Sequence, residues 1–370
     1  MGTYKLSDLC EILDSKRKPL SALQRAKKQG IYPYYGAQGI IDHLDEYLLD
    51  GEYLLVAEDG ANLETRNQPI ANIAKGKIWV NNHAHVLGNN GKCPLNLLGF
   101  ILNNMNISPY VTGCAQPKLN QENLRNIEIE LPSHIDRIAS ILSSLDRKIE
   151  LNNKINADLE EMAQAIFKNW FVAFEPFKDG KFVDSELGMI PEGWKVGSLG
   201  DFCNVFTGKK NTNQAIEKGL YPFFSCAPEP LASNDAIFNG KAIIIAGNGS
   251  YTGRTSFYNG GFDLYQRTYA CTIREQDKEN LMIFFYHMMK QFFEPTKMGG
   301  TRGSSIPYIV MGDITQQKFP YSKDWLIRFS NIANSMMDRK LRIDKENSRL
   351  STLRDTLLPR LMSGEIELPE

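Results

Sequence analysis

The sequence contains no run of 18 or more uncharged apolar residues, which excludes a membrane-spanning helix. The N-terminus also lacks the basic stretch and apolar core of a secretory signal. The six cysteines stand singly, without C-x-x-C spacing or a paired histidine, so neither a zinc site nor a disulfide framework is expected. These absences predict a cytoplasmic protein with reduced cysteines and no membrane partner.

An excess of positive charge is also missing. The chain has 42 Lys and Arg against 43 Asp and Glu, for a formal net charge of -1. Composition alone therefore gives no support for a nucleic-acid partner. If DNA is bound, local clusters of basic residues or a basic partner chain must supply the attraction for phosphates.

Common catalytic motifs are absent as well. We find no G-x-G-x-x-G after a strand, no G-x-x-x-x-G-K-[ST], no H-E-x-x-H, no G-x-S-x-G and no common nuclease site. His83 and His85 come nearest to a titratable cluster, but the second half of the chain, aligned as described below, offers Thr268 and Ala270 instead. A metal site present in both halves is therefore not expected.

What the sequence does contain is an internal two-fold repeat, in which residues 1–175 are echoed by residues 191–366. LSDLCEILDSKRK matches LGDFCNVFTGKKN, and GIYPYYGAQG matches GLYPFFSCAP. YLLVAEDGAN and AIIIAGNGSY follow in the same order and place Gly60 on Gly249. Each half runs from a globular stretch into one long periodic helix, so the chain order is domain, helix, domain, helix.

The globular stretches carry short β-branched and aromatic runs between glycines and asparagines, which are typical of strands joined by loops. YLLVA, KIWV, AIIIA and FDLY predict strands, and NLLGFILNNM and LMIFFYHMMKQFF predict short helices. We therefore predict an α+β fold with two similar globular α/β domains. The predicted boundaries are residues 1–133 for the first domain, 134–178 for the first long helix and a linker, 179–325 for the second domain, and 326–370 for the second long helix and C-terminal tail.

Both long helices show a heptad pattern that is apolar at the ends and polar in the middle. Such sustained spacing predicts a coiled coil, and we expect the two helices to pair antiparallel and hold the domains apart. Two ordinary core helices are the alternative. Pro359 should end the second helix, because proline has no N–H to donate. The predicted pairing seam comprises Ile138, Leu142, Leu145, Ile149, Leu159, Ile166, Ile332, Met336, Ile343, Leu350, Leu353 and Leu357.

Hydrogen-bond donors recur on predicted loops of both halves. Arg and Lys pair with guanine or phosphate, and Asn and Gln pair with adenine. Arg254, in the glycine-rich GNGSYTGRTSFYNG, is our leading candidate for DNA contact, although each donor also has an ordinary explanation as a solvated loop residue. The match of TGCAQPKLN with TRGSSIP sets Gln116 and Lys118 against the segment from Arg302 to Ser305. The candidates are Lys16, Arg17, Lys18, Asn62, Asn81, His83, Gln116, Lys118, Lys209, Lys210, Asn211, Ser250, Tyr251, Arg254, Arg267, Arg302, Ser304 and Ser305.

With these segments in view, the chain resembles the specificity subunit of type I restriction-modification systems over nearly its whole length. IPEGWKVGSLGDF from Ile190 resembles the start of a target-recognition domain in that family. IFKNWFVAFEPF from Ile166 resembles the end of its first conserved helix, and LLPRLMSGEIEL from Leu357 its C-terminal signature. NNHAHVL from Asn81 and GCAQPKLNQENL from Gly113 fit its target-recognition segments.

The resemblance implies two target-recognition domains, each reading one half of a split double-stranded DNA sequence, with paired helices that set the gap. It implies that two methyltransferase subunits dock on this chain and that restriction subunits join through them. S-adenosylmethionine, ATP and magnesium would then belong to those partners, and this chain would bind no cofactor or metal and catalyse no reaction. The free chain could self-associate through exposed helix surface.

Two other functions stay open on the sequence alone. The chain could be an assembly adaptor that binds partner proteins through both repeats without reading bases, which its neutral charge favours. It could also be an enzyme with a site in each repeat, built in the first half on His83 and Asp59. The second half offers Thr268 and Asn248 at the aligned positions, which weakens that hypothesis.

Overall fold

The computed structural model describes residues 2–113, 116–132, 134–293 and 307–366. The chain divides into two compact units, the first comprising Met1–Asn152 with Glu346–Glu370 and the second comprising Asn153–Lys345. Both boundaries fall inside the long helices, so each long helix contributes residues to both units. Among the described residues, none of the helices combines the length and apolarity that crossing a membrane requires.

The first unit is built on a six-stranded sheet. The described residues of this unit form eight strands, which are in chain order β1 (Gly2–Lys5), β2 (Cys10–Ile12), β3 (Gln29–Gly36), β4 (Gly39–Leu44), β5 (Leu49–Ala57), β6 (Ala71–Val80), β7 (Ala84–Asn89) and β8 (Glu128–Leu131). Its helices are α1 (Leu6–Leu9), α2 (Ala22–Ala26), α3 (Asn62–Thr65), α4 (Leu95–Asn104), α5 (Gln121–Arg125) and the start of the long α6 (Ile135–Phe171). The sheet order is β2-β7-β5-β6-β3-β4, and β1 pairs separately with β8.

The second unit repeats this architecture. Its strands are β9 (Phe182–Val183), β10 (Ile190–Pro191), β11 (Lys195–Ser198), β12 (Cys203–Thr207), β13 (Tyr221–Phe224), β14 (Leu231–Ser233), β15 (Phe238–Ala246), β16 (Thr255–Leu264), β17 (Thr268–Ile273) and β18 (Lys318–Tyr321). Its helices are α7 (Leu199–Phe202), α8 (Met282–Phe293), α9 (Met311–Thr315) and the long α10 (Lys323–Met362), which ends in the first unit. The sheet order β12-β17-β15-β16-β13-β14 matches the first sheet strand for strand.

The predicted fold class, with two similar α/β domains and two long helices, is therefore confirmed. Each run that predicted a strand lies in a strand or extends one residue beyond it, and the two predicted short helices are α4 and α8.

The core of the second unit is strongly aromatic. Phe284, Phe285, Phe319 and Phe329 are fully buried there.

Each sheet contains a pair of opposed glycines in its longest hairpin. Gly51 on β5 faces Gly76 on β6, and Gly240 on β15 faces Gly260 on β16. All four have positive φ, at 152°, 79°, 143° and 146° respectively. A side chain would make this backbone conformation costly, so glycine lets both strands of the hairpin bend at the same point.

Connectivity requires that bend. Ile78 pairs with Leu49 and Ala84 pairs with Ala57, so the first unit needs a short path between opposite ends of β5. In a straight strand Leu49 and Ala57 would lie about 26 Å apart, whereas the chain from Ile78 to Ala84 reaches at most about 21 Å. The bend therefore brings the end of β6 and the start of β7 together, and loops from several strands gather at this place.

In the first unit polar contacts join the long helices, in addition to the apolar residues that both helices contribute to the core. Arg354 of α10 pairs with Asp146 of α6 at 2.7 Å, and the Asn152 amide donates to the side-chain oxygen of Asn347 at 2.8 Å. As the residue number rises along α6, the number of its partner on α10 falls. The two helices are therefore antiparallel in this unit.

The second unit shows the same direction of pairing. The Asn156 amide donates to Asp344 at 2.6 Å, and Lys340 binds Glu160 at 2.9 Å. Buried polar residues at helix seams fix the register at some cost in stability. The predicted antiparallel pairing is confirmed within each unit.

Part of the predicted seam is displaced on α10. Ile332 and Leu353 are 36% and 46% exposed, so their assignment to the seam is wrong. The contacts of α10 run through the next position in each heptad, where Lys340, Asn347 and Arg354 stand. Among the other predicted seam residues, Ile138, Leu142 and Ile343 are buried, and Leu145, Ile149, Leu159, Ile166, Met336, Leu350 and Leu357 are half-buried.

Pro359 does not end α10, which continues to Met362. Leu358 and Leu361 on either side of it are buried in the core of the first unit. Proline removes one backbone hydrogen bond from the helix, and burial of these leucines contributes about 1.5–3 kcal/mol each. Packing therefore outweighs the local preference at this position.

Glu160 of α6 is the centre of a buried polar cluster in the second unit. Its carboxylate accepts hydrogen bonds from Tyr286 at 2.7 Å, Lys290 at 2.8 Å and Lys340 at 2.9 Å. Burial alone would raise the pKa of Glu160, but the bonds from Lys290 and Lys340 and their positive charges lower it to about 2. The ionised carboxylate therefore stabilises the packing of α6 on α8 and α10.

The variant Glu160→Gln should lower the free energy of unfolding by roughly 3 kcal/mol at pH 7, from the displacement of the pKa from 4.5 to about 2. Because the folded-state pKa lies below the unfolded value, the stabilisation is complete above about pH 4.5 and is lost toward pH 2. Urea unfolding at several pH values measures this, with the exposed neighbour Glu161→Gln as the control. A deficit that stays constant from pH 7 to pH 3 would contradict it.

Candidate functional site

Loops of the first unit meet beside the start of β7. The backbone N–H of Glu58 donates to the His83 carbonyl at 2.9 Å, and that of Gly60 donates to the Pro117 carbonyl at 3.1 Å. The Lys18 N–H donates to Val80 at the end of β6, at 3.0 Å. We call residues 14–18, 58–60, 81–83 and 116–118 the first loop cluster.

A buried ion-pair network supports the first loop cluster from below. Arg17 contacts Asp14 at 3.2 Å and Glu58 at 2.5 Å. The His85 ring binds Asp14 through Nδ1 at 2.6 Å and the Leu119 carbonyl through Nε2 at 2.7 Å. Burial would raise the pKa of both carboxyl groups, but hydrogen bonds and the neighbouring cations hold both pKa values below their usual range. The network fixes the loops that carry the exposed donors.

Asp14, Glu58 and His85 offer ligand atoms that all lie within 4.8 Å of one another. The guanidinium of Arg17 already supplies the positive charge between the two carboxylates. Both ring nitrogens of His85 face oxygen atoms of the chain, so neither is directed toward an open coordination position. The arrangement is that of a closed ion-pair network, whereas a metal site keeps its ligand atoms free for the ion.

Several predicted residues present their side chains to solvent in the first loop cluster. Lys16, Lys18 and Gln116 are exposed. His83 is 49% exposed and binds Asp59 at 2.8 Å, and the exposed Lys118 reaches Glu58 at 3.2 Å. The structure therefore brings together donors that lie up to about a hundred residues apart in the sequence.

Three other candidates of this unit have internal partners. Arg17 belongs to the buried network described above. Asn62 is buried and exchanges two hydrogen bonds with the backbone of Gln68, each at 2.9 Å. Asn81 is buried and its side-chain oxygen accepts from the N–H of His83 at 2.7 Å. We revise their expected role from contacting DNA to shaping the loops, because their polar groups are used within the chain.

Corresponding loops meet in the second unit. The Gly247 N–H donates to the Arg267 carbonyl at 2.9 Å, and the Ile309 N–H donates to Gly247 at 2.8 Å. The Gln266 N–H donates to the Lys210 carbonyl at 3.0 Å. The thiol of Cys226 donates to the side chain of Asn248 at 3.0 Å. We call residues 209–211, 225–230, 247–251, 265–267 and 307–308 the second loop cluster.

Two strong candidates of the second unit are also engaged internally. Lys210 binds the buried Asp263 at 2.6 Å and Asp235 at 2.7 Å. Arg254 donates to the carbonyls of Ala227 and Pro228, and burial lowers its pKa. The guanidinium therefore holds the 225–230 loop, and we no longer expect Arg254 to be the main DNA contact.

The remaining predicted DNA-contacting residues of this unit are either exposed or fall outside the residues that the structure describes. Lys209, Asn211, Ser250, Tyr251 and Arg267 face solvent, although Asn211 also accepts a hydrogen bond from Gln266. The predictions at Arg302, Ser304 and Ser305 fall on residues outside the described part of the chain.

The sheets correct the alignment of the two halves by one residue. Ala84 pairs with Ala57 in the first sheet, and Thr268 pairs with Ala246 in the second. Since the Gly60–Gly249 match places Ala57 on Ala246, Ala84 corresponds to Thr268. The sequence match of His83 with Thr268 is therefore wrong, and Arg267 is its true counterpart.

The loop before α5 also has a different counterpart from the one expected. Lys118 forms an isolated bridge with Asp59, and Tyr308 forms the same bridge with Asn248. Lys118 thus corresponds to Tyr308, not to the segment from Arg302 to Ser305. Asn248 and Tyr308 belong to the second loop cluster, although neither was among the residues predicted to contact DNA. Lys118 follows Gln116-Pro117 and Tyr308 follows Ile306-Pro307, so an alignment of the two prolines would have shown that Lys118 matches Tyr308.

The variant Arg17→Met should lower the free energy of unfolding of the first unit by up to about 3–5 kcal/mol, because it removes the guanidinium that binds both Asp14 and Glu58 and leaves only His85 and Lys118 beside these carboxylates. The exposed neighbour Lys18→Met should change stability by less than about 0.5 kcal/mol. Urea unfolding followed by circular dichroism compares them. Equal stability of the two variants would show that the network does not support the loops.

The family model described as the type I restriction modification DNA specificity domain matches residues 1–161 and 191–323. The type I restriction enzyme MjaIX specificity subunit of Methanocaldococcus jannaschii is 28% identical over 281 residues, covering 70% of this chain and 65% of that protein. A Haemophilus influenzae protein provisionally named as such a specificity subunit is 28% identical over 380 residues, covering 95% and 94%. This chain thus spans slightly less than two thirds of the first relative and nearly all of the second.

The solved structures include a similar fold. The crystal structure of a type I restriction-modification system S subunit from M. genitalium superposes with a TM-score of 0.58 at 17% identity. The match covers 100% of this chain and 96% of that one. At this level of identity the comparison concerns the fold alone.

Proposed function

Because the chain belongs to the family of type I restriction-modification DNA specificity domains, we propose that it reads a bipartite double-stranded DNA target, one half-site per unit. The observation that carries this proposal is the duplication of the site itself. Both units have the same strand order and gather corresponding loops into a cluster with exposed donors. A protein with two such clusters can bind two separate stretches of sequence.

Base readout would come from the exposed residues of the two loop clusters. Lysines carry a compact charge on a flexible stem and suit phosphates, whereas planar and amide side chains suit base edges. In the first cluster the lysines are Lys16, Lys18 and Lys118, and in the second Lys209 has this role. Few basic residues are exposed in either cluster, which fits a chain that shares its hold on DNA with partner subunits.

The long helices would set the gap between the half-sites. Their polar contacts allow only one register, because a shift along the seam separates Glu160 from Lys340 and Asp146 from Arg354. A fixed register would supply the constant half-site separation that recognition of a bipartite target requires.

We further propose that this chain is not an enzyme and that two methyltransferase subunits dock on it, joined by restriction subunits. S-adenosylmethionine, ATP and magnesium would be bound by those partners. The alternative hypothesis places an enzyme site on His83 and Asp59, and in the first unit Nδ1 of His83 does lie 2.8 Å from the Asp59 carboxylate. Arg267 and Asn248 stand at these positions in the second unit, so the pair is not duplicated. The adaptor hypothesis is separated from base reading by the experiment that follows.

The test is to sequence the methylome of a host that carries this chain with its partner subunits. We expect one bipartite methylated motif, whose two parts are separated by a constant number of unspecified base pairs. Exchange of residues 1–133 for those of a relative with a different motif should change one half-site and leave the other. An adaptor would leave both half-sites unchanged, and that result would reject the proposal.

Matched deletion of one heptad from each helix should change the gap and preserve both half-site sequences. Residues 149–155 of α6 and 345–351 of α10 face each other in the antiparallel register, so their joint removal keeps the remaining contacts aligned. Two turns of helix correspond to about 10 Å, or roughly three base pairs. Methylome sequencing measures the new gap. Deletion from α6 alone is the control, and it should abolish methylation because the register is lost.

A further inference from the structure

One position in each loop cluster combines exposure with a fixed backbone. It is the residue immediately before β7 and β17, the strands next to one edge of each sheet, and it is His83 in the first unit and Arg267 in the second. The backbone carbonyl of His83 accepts from Glu58, and that of Arg267 accepts from Gly247, the counterpart of Glu58. Both side chains therefore leave the same point of the same framework.

In the first unit the ring of His83 is oriented by Asp59. Nδ1 lies 2.8 Å from one carboxylate oxygen and 3.0 Å from the other. The Asp59 carboxylate accepts from Nδ1, which fixes the plane of the ring and leaves Nε2 as the ring nitrogen directed away from Asp59. The side chain is 49% exposed, so an oriented imidazole stands at the surface of the cluster.

In the second unit the corresponding carboxylate is missing. Asn248 stands in place of Asp59 and accepts a hydrogen bond from the thiol of Cys226. The backbone of Arg267 is held by the Gly247 N–H, which donates to its carbonyl, and the Cys226 sulfur lies 3.3 Å from the same carbonyl oxygen. Its guanidinium is exposed, with no carboxylate at the position from which Asp59 binds His83.

We propose that His83 and Arg267 each determine the identity of one base pair, in the half-site read by their own unit. The inference rests on the proposed function and adds the specificity-determining residues to it. Arg267 presents the planar pair of donors that fits guanine O6 and N7. The oriented ring of His83 presents one ring nitrogen, Nε2, for a hydrogen bond to a base edge.

Neighbouring candidates are less suited to this role. Lys118 and Lys18 are flexible point charges, and Lys118 is already bound to Glu58. Lys210 and Arg254 use their donors within the chain. His83 and Arg267 are the two that pair a planar group with an anchored backbone at equivalent positions.

The experiment uses the complex of this chain with its methyltransferase partner, incubated with a plasmid library that contains every single-base change in the methylated motif. The fraction methylated at each sequence is measured for the wild type and for His83→Ala and Arg267→Ala. Matched controls are His43→Ala on the edge strand β4 and Arg274→Ala just beyond the opposite end of β17, both exposed. Thermal unfolding checks that all four variants fold.

We expect Arg267→Ala to lose about 5- to 150-fold in discrimination at one G·C pair of one half-site and to leave the other half-site intact. His83→Ala should relax one position in the other half-site by a similar factor. The controls should retain the wild-type motif.

Three results would overturn the inference while leaving the proposed function in place. The first is an unchanged motif in both variants, and the second is a uniform fall in methylation across all sequences, which indicates phosphate contact. The third is relaxation of the same half-site by both variants. A wild-type complex without a bipartite motif would instead reject the proposed function, and the inference with it.

Discussion

The bend of the long hairpin in each sheet is the constraint on which the loop clusters depend. Opposed glycines at 51 and 76, and again at 240 and 260, let both strands turn at one point. Without that turn the short chain between β6 and β7 could not connect opposite ends of β5. Because the connection is short, the ends of several strands converge, and loops from distant parts of the sequence meet there. The position of each loop cluster thus depends on the bend of the backbone and not on which side chains the loops carry.

Some of the basic residues support the loops from inside each unit. Arg17 in the first unit and Lys210 in the second each bind two carboxylates next to their loops. Arg17 is largely buried, so it is costly to remove and keeps the first loop cluster in one conformation, whereas Lys210 is partly exposed and binds the buried Asp263. Few basic side chains remain exposed in the loop clusters, which agrees with the near-neutral composition. Under the proposed function, this division between supporting and exposed basic residues would let a chain without net positive charge present a DNA-binding surface.

The helix seam follows a similar logic. Its central contacts are polar, through Asn152, Asn156 and Glu160 on α6, so they specify alignment more than they add stability. The apolar periodicity of α10 misplaced the seam by one residue, because Ile332 and Leu353 fit a heptad better than the Lys and Arg that make the contacts. Periodicity counts apolar residues and has no means to recognise a charged residue whose partner lies on another helix.

The sequence by itself determined the repeat, the α/β class, the two long helices and the family, because these depend on local periodicity and on segment order. It also supplied most residues of the loop clusters. Only the tertiary structure decided which of them are exposed and which positions correspond. Asn62, Arg17 and Arg254 look like free donors in the sequence, and their partners are set by folding. The equivalence of His83 with Arg267 likewise follows from strand pairing, since a ladder fixes the register residue by residue while a sequence match tolerates a shift.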